Sequence, residues 1–117
     1  MNIIFGDVAN DIAVNHTVLE LDEFCVMPSQ RMVKTWCVVD HVPLTEFPLL
    51  EENRKIHEEL IRNYRQRNWQ FCRSAVGTLM GRWNGDLDSF YEHLSVRIEQ
   101  YINNPPDESW HWALVKS

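Results

Sequence analysis

A chain of 117 residues, 44% hydrophobic and 24% charged, has the composition of one ordinary globular domain. That balance excludes a disordered chain and a coiled-coil rod, and 11 Lys+Arg against 17 Asp+Glu (net −6) disfavours a basic nucleic-acid binder. No apolar run is long enough to cross a bilayer, and the start Met1-Asn2-Ile3-Ile4-Phe5-Gly6-Asp7 lacks the basic region of a signal peptide, so a cytoplasmic protein is expected.

The first third reads as β. Asn2–Val8 is a short apolar run with Gly6-Asp7 near its end. Thr17–Met27 alternates, with Leu19 and Leu21 on one side and Glu20 and Asp22 on the other. The alternation breaks at Asp22-Glu23, which predicts a bulge or the end of regular pairing. Pro28-Ser29-Gln30-Arg31 signals a turn, and Met32–Val42 follows with Trp36, Cys37, Val38 and Val39 at its centre. Two such runs make an antiparallel hairpin, which needs a third strand or a helix to be stable. Residues 2–8 are the natural third strand.

Pro43 and Pro48 bracket a switch to helical spacing. A helix is expected from near Leu49, with Ile56, Leu60, Ile61 and Tyr64 on its apolar face and Glu51 and Glu52 in its first turn. A second carries Cys72, Ala75, Val76, Leu79, Met80 and Trp83. Asn84-Gly85-Asp86 interrupts it, with Gly85 suited to C′ and Asp86 to capping a third helix. That helix carries Leu87, Phe90, Tyr91, Leu94, Ile98, Tyr101 and Ile102 on one stripe, and Asn103-Asn104-Pro105-Pro106 ends it. Gly77, Gly81 and Gly85 recur every four residues, a spacing suited to close helix packing. Trp110–Val115 reads as a short closing strand.

Charge is unevenly spread, with a basic middle between acidic ends. Residues 49–83 hold seven basic and four acidic side chains, against two and seven in residues 1–48 and two and six in residues 84–117. Arg62, Arg65, Arg67, Arg73 and Arg82, with Tyr64 and Trp69 interleaved, could face nucleic acid; the plainer reading is a solvated face with intramolecular partners such as Glu58.

The stretch from Tyr64 to Lys116 carries a resemblance. Tyr64-Arg65-Gln66-Arg67-Asn68-Trp69 opens it, and Pro105-Pro106-Asp107-Glu108-Ser109-Trp110 and Leu114-Val115-Lys116 close it. It resembles the tail that follows the catalytic domain in bacterial class III adenylate cyclases. The whole chain is also similar to small proteins of marine cyanobacterial viruses. The resemblance implies a tetratricopeptide-like helix pair and a Pro-Pro-x-x-x-Trp closing motif. His111-Trp112 stands where that family has Asp-Gly. It implies no catalysis, because the metal-binding aspartates of the cyclase domain have no counterpart in these residues.

No pattern of catalytic or metal-ligating residues competes with this. His57-Glu58-Glu59 begins like a zinc-protease helix, but Ile61 stands where the second histidine is required. Cys37 and His41, four apart on a strand, lie about 13 Å from each other, too far to share an ion. Ser29, Ser74, Ser89 and Ser95 lack a nucleophile elbow, and Asp86/Asp88 and Glu51/Glu52 fall at helix starts, where the dipole explains them. Cys25, Cys37 and Cys72 read as reduced thiols, Cys72 in the core.

The expected fold is α+β, a single domain over 1–117: a β-rich part (1–42) forming an antiparallel sheet of three strands, a helical part (49–103) of three helices packed on it, and a closing segment (104–117). The last two helices form the tetratricopeptide-like hairpin. The expected function is that of a small, soluble, non-enzymatic interaction or adaptor protein of viral or bacterial origin. It needs no cofactor, engages a protein partner, and contacts neither membrane nor, in the main reading, nucleic acid. A single helix pair leaves an open side, which admits a homodimer. Trp36, Arg62, Arg65, Arg67, Trp69, Arg73 and Trp112 are the candidate surface, tryptophan being enriched at interface hot spots. The alternatives are a nucleic-acid accessory factor using the arginine-bearing helices and a small-ligand sensor.

Overall fold

Alternation in the first third and 3.6-residue spacing in the middle produce an α+β chain. The computed structural model describes residues 2–39 and 47–116. In order, these form β1 (Asn2–Phe5), α1 (Asn10–Asn15), β2 (Thr17–Val26), β3 (Arg31–Val39), α2 (Phe47–Arg65), α3 (Trp69–Leu79), α4 (Asp88–Asn103) and β4 (Leu114–Lys116). Two compact units result, Met1–Glu46 with Trp112–Ser117, and Phe47–His111. No helix among the described residues is long and apolar enough to cross a membrane.

The sheet has four strands, in the order β1-β3-β2-β4, where three were expected. β1 and β2 flank β3 antiparallel, and β4 runs parallel to β2, with Leu114 opposite Phe24. The Met27 N–H donates to the Lys116 carbonyl at 2.6 Å, extending that pairing. The expected third strand ends at Phe5, because Gly6 takes φ 89° and turns the chain away. The Gly6 carbonyl then accepts the Trp36 indole N–H at 2.8 Å. Val8 lies in the irregular connection before α1, a six-residue helix with no buried residue and no periodic signature in the sequence. The outer part of the expected second hairpin strand, residues 40–42 with His41, lies outside the described residues, as does Pro43.

The break in alternation at Asp22-Glu23 is a bulge. Glu20 pairs with Trp36 and Glu23 with Lys34, so Leu21 and Asp22 together oppose Thr35. The extra carbonyl, that of Asp22, accepts the Thr35 hydroxyl at 2.6 Å, which accounts for a threonine only 3% exposed. Leu19, Leu21 and Cys37 are buried with it. The added residue also reverses facing, so Glu23 lies on the side of Lys34 and Trp36.

In the helical unit, α3 packs against both α2 and α4. α2 starts at Phe47, two residues before Leu49, and takes Pro48 into its first turn, where no N–H is needed. Its buried side is Asn53, His57, Leu60, Ile61, Asn63 and Tyr64; Ile56 is only half-buried. The apolar stripe read from the sequence is therefore widened to admit three polar positions, Asn53, His57 and Asn63. α3 buries Cys72, Ala75, Val76 and Leu79 but stops at Leu79, leaving Met80 exposed and Trp83 buried in the following turn. Gly85 is not the C′ residue of α3. It sits at φ 79° in the α3–α4 connection, and Leu87, not Asp86, occupies the N-cap of α4. The Asp88 carboxylate accepts the Gly81 N–H at 2.8 Å across that connection. The glycine spacing has no packing role either, since a Cβ on Gly77 would meet nothing within 4 Å.

Three buried polar side chains of this unit share one hydroxyl. His57 and Tyr91 are both fully buried, with His57 Nδ1 2.8 Å from the Tyr91 hydroxyl. The Trp83 indole N–H donates to the same oxygen at 3.0 Å. An indole can only donate, so Tyr91 accepts from Trp83 and has its own proton for His57. Cys72, also fully buried, aims its thiol at the Leu60 carbonyl (3.8 Å).

Tyr91→Phe keeps the ring and strands both partners of the hydroxyl; the urea midpoint should fall by an amount equivalent to about 2 kcal/mol. An unchanged midpoint would show that the hydroxyl is not shared. Burial pushes the Cys72 thiol up to about 12, partly offset by a backbone hydrogen bond. The neutral thiol is therefore favoured in the fold, a contribution fully present below the ordinary thiol value and lost as pH climbs through about 12. At pH 8 a thiol reagent should label half-buried Cys25 in the native chain and Cys72 only on unfolding.

Candidate functional site

The residues with chemistry to offer converge where α2 turns into α3. α2 ends in a Schellman motif: the Asn68 N–H reaches the Asn63 carbonyl at 2.9 Å, and the Arg67 N–H reaches that of Tyr64 at 3.2 Å. The C′ residue of such a motif is left-handed and usually glycine. Here it is Arg67, at φ 65°. A non-glycine residue in that region costs about 1 kcal/mol.

The Arg67 side chain makes contacts that glycine could not. One guanidinium nitrogen (Nη2) donates to the carbonyls of Glu108 and Trp110, both at 3.2 Å, and the group lies 5.4 Å from the Trp110 ring centre. The Pro105–Trp110 segment is bent to meet it. Asp107 accepts the Ser109 N–H at 2.9 Å, and its backbone carbonyl accepts the Trp110 N–H at 3.2 Å. The Asp107 carboxyl is held below its usual range, chiefly by the Ser109 hydroxyl and N–H and last by Arg67. Trp110 thereby enters a four-ring cluster. Trp69 lies 4.8 Å from Tyr101 and 5.4 Å from both Tyr64 and Trp110, and the Trp110 indole N–H donates to the Tyr101 hydroxyl at 3.3 Å. Edge-on and tilted pairs of this kind add to the stability of simple burial.

Beside the cluster lies an open cleft of about 400 Å³, lined by Arg67, Asn68, Trp69, Gln70, Phe71, Tyr101, Ile102 and Pro105. Asn68 donates its side-chain amide to Asn63 Oδ1 at 2.8 Å and does not cap α3. Phe71 is 43% exposed, on the side of α3 away from its buried stripe.

Of the seven candidate surface residues, only Arg67 and Trp69 line this cleft. Arg62 is exposed and ion-paired with Glu59. Arg65 is half-buried at the end of α2. Arg73 forms a two-pronged pair with Glu99, at 2.7 and 2.6 Å. That hydrogen bonding raises the Arg73 value and holds Glu99 below the ordinary carboxylate range. Trp36 and Trp112 belong to the sheet unit and are half-buried. Lys34 lies 6.0 Å from the Trp36 ring, and the Trp112 indole N–H donates to Glu23 at 3.0 Å. Asn68, Gln70, Phe71, Tyr101, Ile102 and Pro105 line the cleft without belonging to the candidate surface; in the sequence Tyr101 and Ile102 read as part of the α4 stripe and Pro105 as the end of that helix. Phe71 had a signal: an aromatic two residues after Trp69 and off the 72/75/76/79 stripe. Among the described residues, no group of three or more His, Cys, Asp or Glu side chains is placed to hold a metal.

Arg67→Gly removes the strain and the contacts together, whereas Arg67→Ala removes the contacts and keeps the strain. Both variants should unfold more readily than the parent, and the glycine variant should be the more stable of the two by about 1 kcal/mol in paired urea titrations. The reverse order would mean that residue 67 is not left-handed.

The cleft and its chemistry carry the functional argument alone, since comparison with protein-family models, curated proteins and solved structures finds no match to this chain.

Proposed function

We propose that this chain is a protein-interaction module whose helical unit docks a peptide segment in the cleft at the start of α3. The observation that carries the reading is the exposed Phe71 beside Trp69, Tyr101 and Pro105 in an open cleft walled by a hydrogen-bonded ring cluster. Aromatic-lined grooves bind extended peptides through side-chain stacking, and the carboxamides of Asn68 and Gln70 offer donors and acceptors to a passing backbone. A preformed wall lowers the ordering cost of binding.

The nucleic-acid alternative is weakened by the pairing of its arginines, since Arg62 and Arg73 each bond a carboxylate. An enclosed small ligand fits less well, because small-molecule sites bury most of their ligand's surface. Three free cysteines favour a reducing, cytoplasmic setting; a bacterial origin rests on the resemblance of the Tyr64–Lys116 stretch and a viral one on that of the whole chain.

Selection of a displayed random-peptide library on the full chain tests the reading. Peptides should be enriched, and Phe71→Ala, at an exposed position that the fold does not need, should weaken them by about tenfold. No enrichment, or binding indifferent to Phe71, would overturn it.

A further inference from the structure

Within that reading, the charges around the cleft specify its occupant. The chain is net −6, yet among the described residues the only charged side chain lining the cleft is Arg67, and no carboxylate lines it. Charges act locally, over about 8 Å at physiological salt, so the lining outweighs the distant acidic surface for a docked ligand. Arg67 also differs from Arg54, Arg62 and Arg73. Those three are ion-paired with Glu51, Glu59 and Glu99, whereas both side-chain hydrogen bonds of Arg67 among the described residues go to neutral carbonyls. Asp107 is the nearby acid, and its carboxylate is bonded to Ser109. Both carbonyl bonds use Nη2, so the Nε and Nη1 protons, three of the five in a guanidinium, are uncommitted in them.

We propose that the cleft selects a peptide with an aspartate or glutamate next to a bulky apolar residue. The carboxylate takes the remaining Arg67 donors, and the apolar side chain lies against Phe71 and Trp69. This rests on the peptide-docking reading and adds the chemistry of the peptide.

The probe is the tightest peptide from the displayed library, made in two forms, with the acid and with the matching amide (Asp→Asn or Glu→Gln). On the parent protein the amide form should bind about tenfold more weakly or worse, as expected for losing a charge-assisted hydrogen bond. Against Arg67→Asn, which tolerates the left-handed turn, the two forms should agree to within about twofold. Equal loss on both proteins would overturn the proposal, as would Phe71-dependent peptides with no acid, which leave the docking reading standing. Absence of any Phe71-dependent peptide removes both. The amide swap on the unaltered protein decides the matter even if Arg67→Asn fails to fold.

Discussion

The two backbone bonds that close α2 around Arg67 constrain everything around the cleft. They turn the chain so that only three residues separate α2 from α3, and they do so only with residue 67 in a left-handed conformation. Glycine would allow the turn at lower cost but would leave the Glu108 and Trp110 carbonyls without their donor. The guanidinium ties the Pro105–Trp110 segment to the α2–α3 corner. With Trp110 fixed, Trp69 and Tyr101 have an edge to pack against, and the cleft has a wall.

Elsewhere in both units one device recurs: a polar group that burial removes from water is given a partner far along the chain. The Thr35 hydroxyl serves the carbonyl exposed by the bulge, the Trp36 indole serves Gly6 where β1 ends, and the Tyr91 hydroxyl links His57 to Trp83. Each bond joins an irregularity of backbone or composition to a side chain distant in sequence. In a structure this small, one such group left unpaired would cost an appreciable share of the folding free energy.

That device also bears on which parts were legible in the sequence. α3 and α4 follow their apolar stripes because their buried positions are almost all hydrophobic. On α2, Leu60, Ile61 and Tyr64 are buried as read, but Asn53, His57 and Asn63 are buried with them, so the apolar residues alone mark only part of the buried face. The bulge showed as a break in alternation, whereas β4 could not be placed, because parallel pairing with a strand some ninety residues earlier leaves no local mark. In the cleft, Arg67 and Trp69 stood out by residue type. Tyr101 and Ile102 had been assigned to the α4 stripe, and nothing in a run of arginines marks one of them as left-handed.

The sheet unit is assembled from two stretches of chain with the whole helical unit between them. Ribosomal synthesis runs from the first residue to the last, so β1, β2, β3 and all of the helices leave the ribosome before β4. Until then the Phe24–Val26 edge of β2 has no strand beside it. Closing a loop of that length is entropically costly, and it costs less once the intervening helices have already condensed. β4 is thus made after the helical unit, and its pairing seals an edge that would otherwise be open to strands of other chains.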